Sequence, residues 1–305
     1  MTLFNLPEWK DSRILITGAQ GFIGRYLTRA VAQLEPKELV LLSQSPQRYP
    51  EDAPNAKYMQ IDLRIKKQVQ NLSRDFDFDI IYNLAGRIDQ SVGVGKFEEQ
   101  LAINYLATLH LVEAFEGKVG LFVQVGTNAE YGNAPVPHDP NMTCEQPNSA
   151  YGVSKLAATK MLLAKAQSEE LRVKIFRPFL VFGVGQNPKS LLGQIVEAIR
   201  TKTPLKTSAD QQTRDFISVS QVVASLINRE VLSSGQGIEN CCSGVELRIK
   251  DVLDYVMSTH ENFHYEYQSA LVRKAELLRS YGKKQIPFQE RDVKRNIYEW
   301  LICEV

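Results

Sequence analysis

Short apolar runs alternate along the chain with longer segments whose apolar residues recur at helical spacing. Residues 12–17 (SRILIT), 39–43, 58–62, 79–84, 121–125 and 173–176 have strand length, and all but 58–62 are rich in Ile, Val, Leu or Phe. Between them, 22–33, 97–115 and 149–167 have the periodicity of helices, the first stopping near Pro36. Within 97–115, Leu101, Tyr105, Leu109 and Val112 are expected on one face. Continuous apolar strands separated by helices predict an α/β protein with a doubly wound parallel sheet, covered on both sides. Such sheets bind ligands at the carboxyl ends of their strands. After Arg177-Pro178 the pattern loosens. Helices are expected at 191–200, 220–232 and 248–257, with short strands between. The chain therefore divides into a nucleotide-binding part, 1–177, and a smaller substrate lobe, 178–305. No Gly/Ser-rich linker or internal repeat separates the two.

Composition narrows the function. The 305 residues are 44% hydrophobic and 23% charged, an ordinary globular balance that excludes disordered and collagen-like chains. Lys plus Arg number 36 and Asp plus Glu 35, for a net charge of +1, so neither nucleic acid nor an anionic membrane surface is an expected partner. No apolar run is long enough for a membrane span. The first ten residues contain Glu8 and Lys10 and no apolar core, which predicts no export signal. Cys144, Cys241, Cys242 and Cys303 form no Cys-x-x-Cys, and the four histidines are scattered. A reduced, cytoplasmic protein without a metal site is expected.

The first chemical motif is Gly18-Ala19-Gln20-Gly21-Phe22-Ile23-Gly24, between the first strand and the first helix. Three glycines at this spacing allow a tight turn, close approach of the backbone to a pyrophosphate, and close packing of the helix. The helix N-terminus adds unpaired N–H groups and a positive dipole end. This is the signature of a Rossmann dinucleotide site, and Gly18, Gln20, Gly21, Phe22, Ile23 and Gly24 are the expected phosphate-side residues. The end of the second strand distinguishes the cofactors. A carboxylate there would bond the ribose hydroxyls of NAD. Ser43 stands in its place, with Arg48 shortly after. Hydroxyls and an arginine accept a 2′-phosphate, which tilts the reading from NAD toward NADP. The alternative for Arg48 is a solvated loop residue. Asp62 closes the third strand, either to meet the adenine amino group or as a surface aspartate.

The second motif is Tyr151-Gly-Val-Ser-Lys155, at the start of a helix. Positions i and i+4 share a face, so phenol and ammonium are neighbours. A nearby cation favours the phenolate and brings the tyrosine into the range of an acid–base catalyst. Lys155 can also hold the nicotinamide ribose. Thr127 closes the fifth strand, where its hydroxyl can bond a reacting sugar oxygen.

With these motifs the sequence resembles the extended short-chain dehydrogenase/reductases that act on nucleotide sugars, the NAD-dependent epimerase/dehydratase family. The resemblance spans nearly the whole chain. It rests on the glycine turn, Asp62-Leu63, Asn83-Leu-Ala-Gly86, Asn104, Gly126-Thr127 with Tyr131-Gly132, Tyr151 to Lys155, Arg177-Pro178 and Arg214-Asp215-Phe216. It implies that Thr127, Tyr151 and Lys155 form a catalytic triad. It also implies that Asp62, Leu63, Asn83, Leu84, Ala85, Gly86 and Asn104 line the cofactor, and that Arg214 and Arg273 meet the substrate diphosphate. The helices 97–115 and 151–167 imply a homodimer, with Leu101, Leu109, Leu156 and Met161 in the core or at the interface. Within the family the stretches around Thr127 and Arg177 look most like GDP-4-keto-6-deoxymannose reductases and related 4-ketoreductases.

Some positions depart from the family pattern. Asn128 and Ala129 stand where sugar 4,6-dehydratases carry an Asp-Glu pair, so elimination lacks an evident acid and base. Leu180 replaces a frequent Asn and Gln221 a frequent Asp. Glu130 and His138 are candidate sugar contacts near the cleft; for His138, flanked by Pro137 and Asp139-Pro140, an exposed loop is the favoured alternative. The expected function is reduction of a 4-keto-6-deoxy nucleotide sugar, with Tyr151 donating the proton, Thr127 positioning the oxygen and Lys155 lowering the tyrosine pKa. The alternatives are a 4-epimerase holding NAD and a non-catalytic nucleotide-binding protein.

Overall fold

The computed structural model describes residues 6–88, 94–141, 144–168, 171–208, 211–268 and 277–304. The chain folds into two compact units, neither continuous in sequence. The first comprises 1–132, 144–177 and 223–239, and the second 133–143, 178–222 and 240–305.

The first unit begins with β1 (Arg13–Thr17), α1 (Phe22–Ala32), β2 (Glu38–Ser43), β3 (Lys57–Gln60), α2 (Lys66–Asp75) and β4 (Phe78–Asn83). It continues with α3 (Val94–Leu101), α4 (Ala107–Phe115), β5 (Val119–Val125), α5 (Ala150–Gln167) and β6 (Val173–Pro178). In the second unit lie β7 (Leu180–Phe182), α6 (Leu191–Thr201), β8 (Leu205–Thr207), β9 (Thr213–Arg214) and β10 (Phe216–Ser218). Next, α7 (Val219–Leu226) leads back to the first unit, which holds α8 (Arg229–Ser233) and most of β11 (Gly237–Cys241). The second unit resumes with β12 (Leu247–Arg248), α9 (Ile249–Thr259), β13 (Tyr265–Tyr267), β14 (Arg279–Ser280) and α10 (Glu290–Glu304).

The main sheet has the order β11-β6-β5-β4-β1-β2-β3, and the pairs from β6 to β3 are parallel. This is the doubly wound order in which β1 and β4 flank the switch point. The strands read as unbroken apolar runs because both of their faces are covered: Ile14, Leu15 and Ile16 are all fully buried. One face packs Leu15, Val40, Ile81, Phe122 and Ile175 against Leu111, Phe115 and Leu162. At the carboxyl ends the register brings Thr17, Asn83 and Gln124 into one row. Thr17 Oγ1 donates to Asn83 Oδ1 at 2.6 Å and Asn83 Nδ2 donates to Gln124 Oε1 at 2.8 Å. The Asn83 side chain is thus a buried strut beneath the sheet rim.

The 97–115 helix differs from expectation. Residues Ala102–Leu106 form a π-helical turn between α3 and α4. The buried residues are Gln100, Asn104, Ala107, Thr108, Leu111, Val112 and Phe115, while Leu101, Tyr105 and Leu109 are half-buried. An extra residue per turn rotates the helix faces relative to a 3.6-residue repeat, so the apolar stripe read from sequence lies beside the buried one. Leu156 and Met161 are likewise half-buried on α5.

The second unit packs α6, α9 and α10 around Phe182, Ile195, Ile199, Leu253, Val256, Phe263 and Ile297. Small sheets pair β10 with β7, β13 with β8, and β9 with both β12 and β14. Asp215, between β9 and β10, is buried and ties the unit's loops together. Its carboxylate accepts from Ser243 N–H and Oγ–H, both at 2.7 Å, and from Gly244 N–H at 2.9 Å. The single helix expected over 220–232 is two, α7 and α8, because the Asn228 side chain caps the second by accepting from Val231 N–H.

Candidate active site

The glycine turn after β1 is shaped by backbone contact. Gly18 has φ of +66°, and a Cβ there would lie 2.8 Å from the backbone of Leu84 and Ala85. A Cβ on Gly24 would lie 2.1 Å from Gly18 O, so only glycine lets α1 close onto the turn. Gly21 is the N-cap of α1 and provides no side-chain cap. The first N–H groups of that helix, from Phe22, Ile23 and Gly24, therefore face the turn without a capping side chain. This donor set fits an anionic pyrophosphate. Across the switch point, Ala85 N–H donates to Thr17 Oγ1 at 3.1 Å, which fixes the backbone of Leu84, Ala85 and Gly86 beside the turn.

The loop after β2 is tied to the same turn. Gln20 Oε1 accepts from Arg48 N–H at 2.9 Å, while the Arg48 side chain is exposed. Ser43 Oγ accepts from Ser45 N–H at 3.2 Å. Further along, the buried Asp52 pairs with Arg25 at 2.9 Å and Arg29 at 2.5 Å, both on α1. Asp62 is gripped by Arg64, whose Nη2 lies 2.7 Å away, and by Gln44 Nε2 at 3.1 Å. The hydrogen bonds from Arg64 hold its carboxyl below the usual range. Leu63 is buried, and its carbonyl meets the His110 ring at 2.8 Å.

On the other side of the switch point, β5 ends in Gly126-Thr127 and α5 begins at Ala150. Ser149 caps α5, its Oγ accepting from Gly152 N–H at 3.1 Å, which places Tyr151 in the first helical turn and Lys155 one turn on. Thr127 is itself the N-cap of a short 3₁₀ turn, Asn128–Glu130. Its Oγ1 accepts from Ala129 N–H at 3.2 Å and hydrogen-bonds the Tyr151 phenol. Thr127, Tyr151 and Lys155 are all buried. Lys155 Nζ donates to Val125 O at 2.8 Å. A Cβ on Gly86 would lie 3.3 Å from that Nζ and 2.8 Å from Asn104 Oδ1. Asn104, in the π turn, accepts from Arg87 N–H at 3.1 Å and donates to Ser154 Oγ at 3.0 Å. It therefore joins the β4 loop to the helix that carries Tyr151 and Lys155.

Burial pushes the Tyr151 phenol up to about 12; the Thr127 hydroxyl opposes the rise and the Glu130 charge adds to it. Burial pulls the Lys155 ammonium down to about 8, with Glu130 opposing. In the protein alone the ammonium is engaged by the Val125 carbonyl, and burial keeps the phenol protonated at neutral pH.

Two further expectations are overturned. Glu130 is fully buried and ion-paired with Arg177 at 2.8 Å, so it is not presented to a sugar. His138 is fully buried in the second unit, against the Phe179 ring, rather than exposed. Arg214 lies on β9 in the second unit, where its Nη1 donates to Thr213 O at 2.8 Å. Arg273 lies outside the described residues. Sequence reasoning misses the structural part of Glu130, although Thr127-x-x-Glu130 has capping-box spacing.

The parallel order, the uncapped glycine turn at the switch point and a buried Tyr–Lys pair on the neighbouring helix define a Rossmann-fold dinucleotide-binding protein equipped for proton transfer. The family model described as the NAD dependent epimerase/dehydratase family matches residues 14–228, and the chain belongs to that family of enzymes. Over 255 residues it is 28% identical to the GDP-6-deoxy-D-mannose reductase of Pseudomonas aeruginosa, covering 79% of this chain and 78% of that one. Over 226 residues it is 29% identical to an uncharacterized UDP-glucose epimerase of Bacillus subtilis, covering 70% and 71%. Among solved structures, MoeE5 in complex with UDP-glucuronic acid and NAD superposes with a TM-score of 0.80 at 25% identity, covering 96% of this chain and 100% of that one. Among the described residues no helix is long and apolar enough to cross a membrane.

Proposed function

We propose that this enzyme reduces the keto group of a 4-keto-6-deoxy nucleotide sugar, with NADPH preferred to NADH. The observation that carries the reading is the buried cluster of Thr127, Tyr151 and Lys155, whose phenol is held in its protonated form. Gly18, Gln20, Gly21, Phe22, Ile23 and Gly24 would hold the pyrophosphate, Ser43, Arg48, Asp62 and Leu63 the adenosine end, and Leu84, Ala85, Gly86, Asn104 and Lys155 the nicotinamide end. When bound, the nicotinamide supplies the hydride. The chain supplies the rest. Thr127 and Tyr151 hydrogen-bond the carbonyl oxygen, Tyr151 gives that oxygen its proton as negative charge develops, and the phenolate is re-protonated before the next turnover. Lys155, one turn from Tyr151 on α5, would stabilise that phenolate by its charge. Arg214 and Arg273 would take the substrate diphosphate.

Elimination is disfavoured by the same turn. Asn128 and Ala129 carry no ionisable group, and the Glu130 carboxylate is spent on Arg177, Thr159 and the Thr127 N–H. Likeness to a protein named as a GDP-6-deoxy-D-mannose reductase supports reduction, and likeness to a protein that binds UDP-glucuronic acid supports a nucleotide sugar. Purified protein, largely free of cofactor, is expected to oxidise NADPH one for one with a 4-keto-6-deoxy nucleotide sugar, followed at the reduced-nicotinamide absorbance band. Interconversion of two 4-hydroxy sugars without net absorbance change, by protein carrying bound NAD, would establish a 4-epimerase instead.

The cofactor preference has its own test. Asp at position 43 keeps an acceptor for Ser45 N–H while adding a charge that bonds ribose hydroxyls and repels a 2′-phosphate. Ser43→Asp is expected to weaken NADPH binding by at least tenfold, about 1.4 kcal/mol, and to spare NADH. Equal affinity of the unaltered enzyme for both, by titration of nicotinamide fluorescence, would remove the basis for an NADP preference.

A further inference from the structure

We propose that Glu130 and Arg177 form a positioning pair, through which one buried carboxylate sets Thr127 against the helix bearing Tyr151 and Lys155. The proposal rests on the reading that these three are the catalytic groups. Glu130 divides its two oxygens between the two sides of the site. Oε1 accepts from Thr127 N–H at 3.0 Å. Oε2 accepts from the Thr159 hydroxyl at 2.8 Å, one turn beyond Lys155 on α5, and from Arg177 Nε at 2.9 Å. Arg177, at the end of β6, also reaches Glu145 at 3.1 Å, and Glu145 pairs with Lys160 on α5 at 2.9 Å. The guanidinium lies 4.3 Å from the centre of the Tyr131 ring. The result is a row of alternating charges from the Thr127 turn to α5, with both Glu130 and Arg177 fully buried.

Two glycines let these parts close. A Cβ on Gly126 would lie 2.3 Å from Glu130 Oε1, and a Cβ on Gly152, next to Tyr151, would lie 2.5 Å from Ala129 O. Apolar side chains of the same volume would stabilise the interior as well as a buried ion pair does. They could not hold a backbone N–H and a hydroxyl at fixed distances. Charge acts in the same direction as geometry. The charged group acting on Lys155 is Glu130 on the 3₁₀ turn, with the neutral Tyr151 phenol on its own helix and Val125 O, Gly86 and Asn104 beside it. Glu130 raises both the phenol and the ammonium, favouring a protonated donor and a charged lysine.

Glu130→Gln keeps the volume and an acceptor for Thr127 N–H but leaves the buried Arg177 charge with Glu145 as its one remaining carboxylate. The companion variant, Glu130→Gln with Arg177→Met, removes both charges and with them that penalty. Two readouts apply. The first is the titration of Lys155 by NMR on protein with labelled lysine, its resonance assigned by loss in Lys155→Met; no substrate is needed. The second is steady-state kinetics. The Lys155 midpoint is expected to fall below its position in the unaltered enzyme. The kcat is expected to fall about 10²-fold, the scale of a sub-ångström to ångström misplacement, with KM for cofactor unchanged. Should neither variant fold, Thr159→Val cuts only the carboxylate's hold on α5, with an expected loss of about tenfold in kcat for one hydrogen bond. A folded variant of this set with kcat and the Lys155 midpoint both unchanged would show that the pair serves stability alone, and would overturn the proposal. If the unaltered enzyme reduces no 4-keto sugar, the reductase reading fails, and the substrate-free titration still decides this one.

Discussion

Tyr151→Phe is expected to lower kcat by roughly 10²–10⁴-fold, the usual contribution of a positioned acid or base, while leaving cofactor affinity nearly unchanged. The ring is buried at the start of α5, and phenylalanine fills the same space. What disappears is the transferable proton and the hydrogen bond with the Thr127 hydroxyl. Loss of that bond costs about 1 kcal/mol of stability, too little to unfold the protein and far less than the kinetic effect. The alkaline side of the pH profile should report Lys155 rather than the phenol. Its ammonium, with a pKa of about 8 in the protein alone, is lost first as pH rises, whereas the phenol, at about 12, remains protonated. Activity is therefore expected to be held below about pH 8 and to decline above it. A phenylalanine variant with near-normal turnover on the identified substrate would end the assignment of Tyr151 as proton donor.

The second large effect lies at the other side of the switch point. Gly24→Ala places a methyl group 2.1 Å from Gly18 O, a backbone atom held from behind by Leu84 and Ala85. Neither side can yield alone, so α1 must move off the turn. A stability loss of about 2–3 kcal/mol is expected, typical of strong overpacking. Cofactor binding is expected to weaken by more than tenfold, because the N–H groups that would face the pyrophosphate move with the helix. Gly21→Ala is the internal comparison. Its Cβ meets only Gly18 O, at 3.1 Å, and its φ of −75° suits any residue. Its effect should be smaller by both thermal unfolding and cofactor titration, and a reversed ranking would mean that the turn does not work through this contact.

Five of the six strands read from sequence are near-continuous apolar runs because their side chains are buried on both faces, while the edge strand β3 is only half-buried. The glycine turn and the Tyr–Lys helix are equally legible, since their spacing is local. What sequence hides is non-local or polar. Glu130 reads as a candidate sugar contact until Arg177, forty-seven positions later, is known to lie against it. His138 reads as exposed because prolines flank it, yet the second unit encloses it. The helix α10 escapes a reading by pattern because charges dominate Glu290–Glu304, although Val293, Ile297 and Leu301 recur every four residues and are buried. The buried face of 97–115 is only partly legible because it is lined by Gln100, Asn104 and Thr108, side chains that a search for apolar periodicity discards.

The π turn at Ala102–Leu106 gives that last helix a property resembling a reading frame. Residues before and after it keep their own helical phase, and the extra residue between them sets the offset. Asn104 looks inward to Arg87 and Ser154 because of that offset. Exchanging one side chain for another along the segment leaves the phase intact. Removing a single residue would restore an ordinary α-helix and swing one half by about 100° against the other, the angle per residue of a 3.6-residue turn. Side chains here are open to variation one at a time, while the length between Gln100 and Thr108 is fixed by the loop and helix that Asn104 must span.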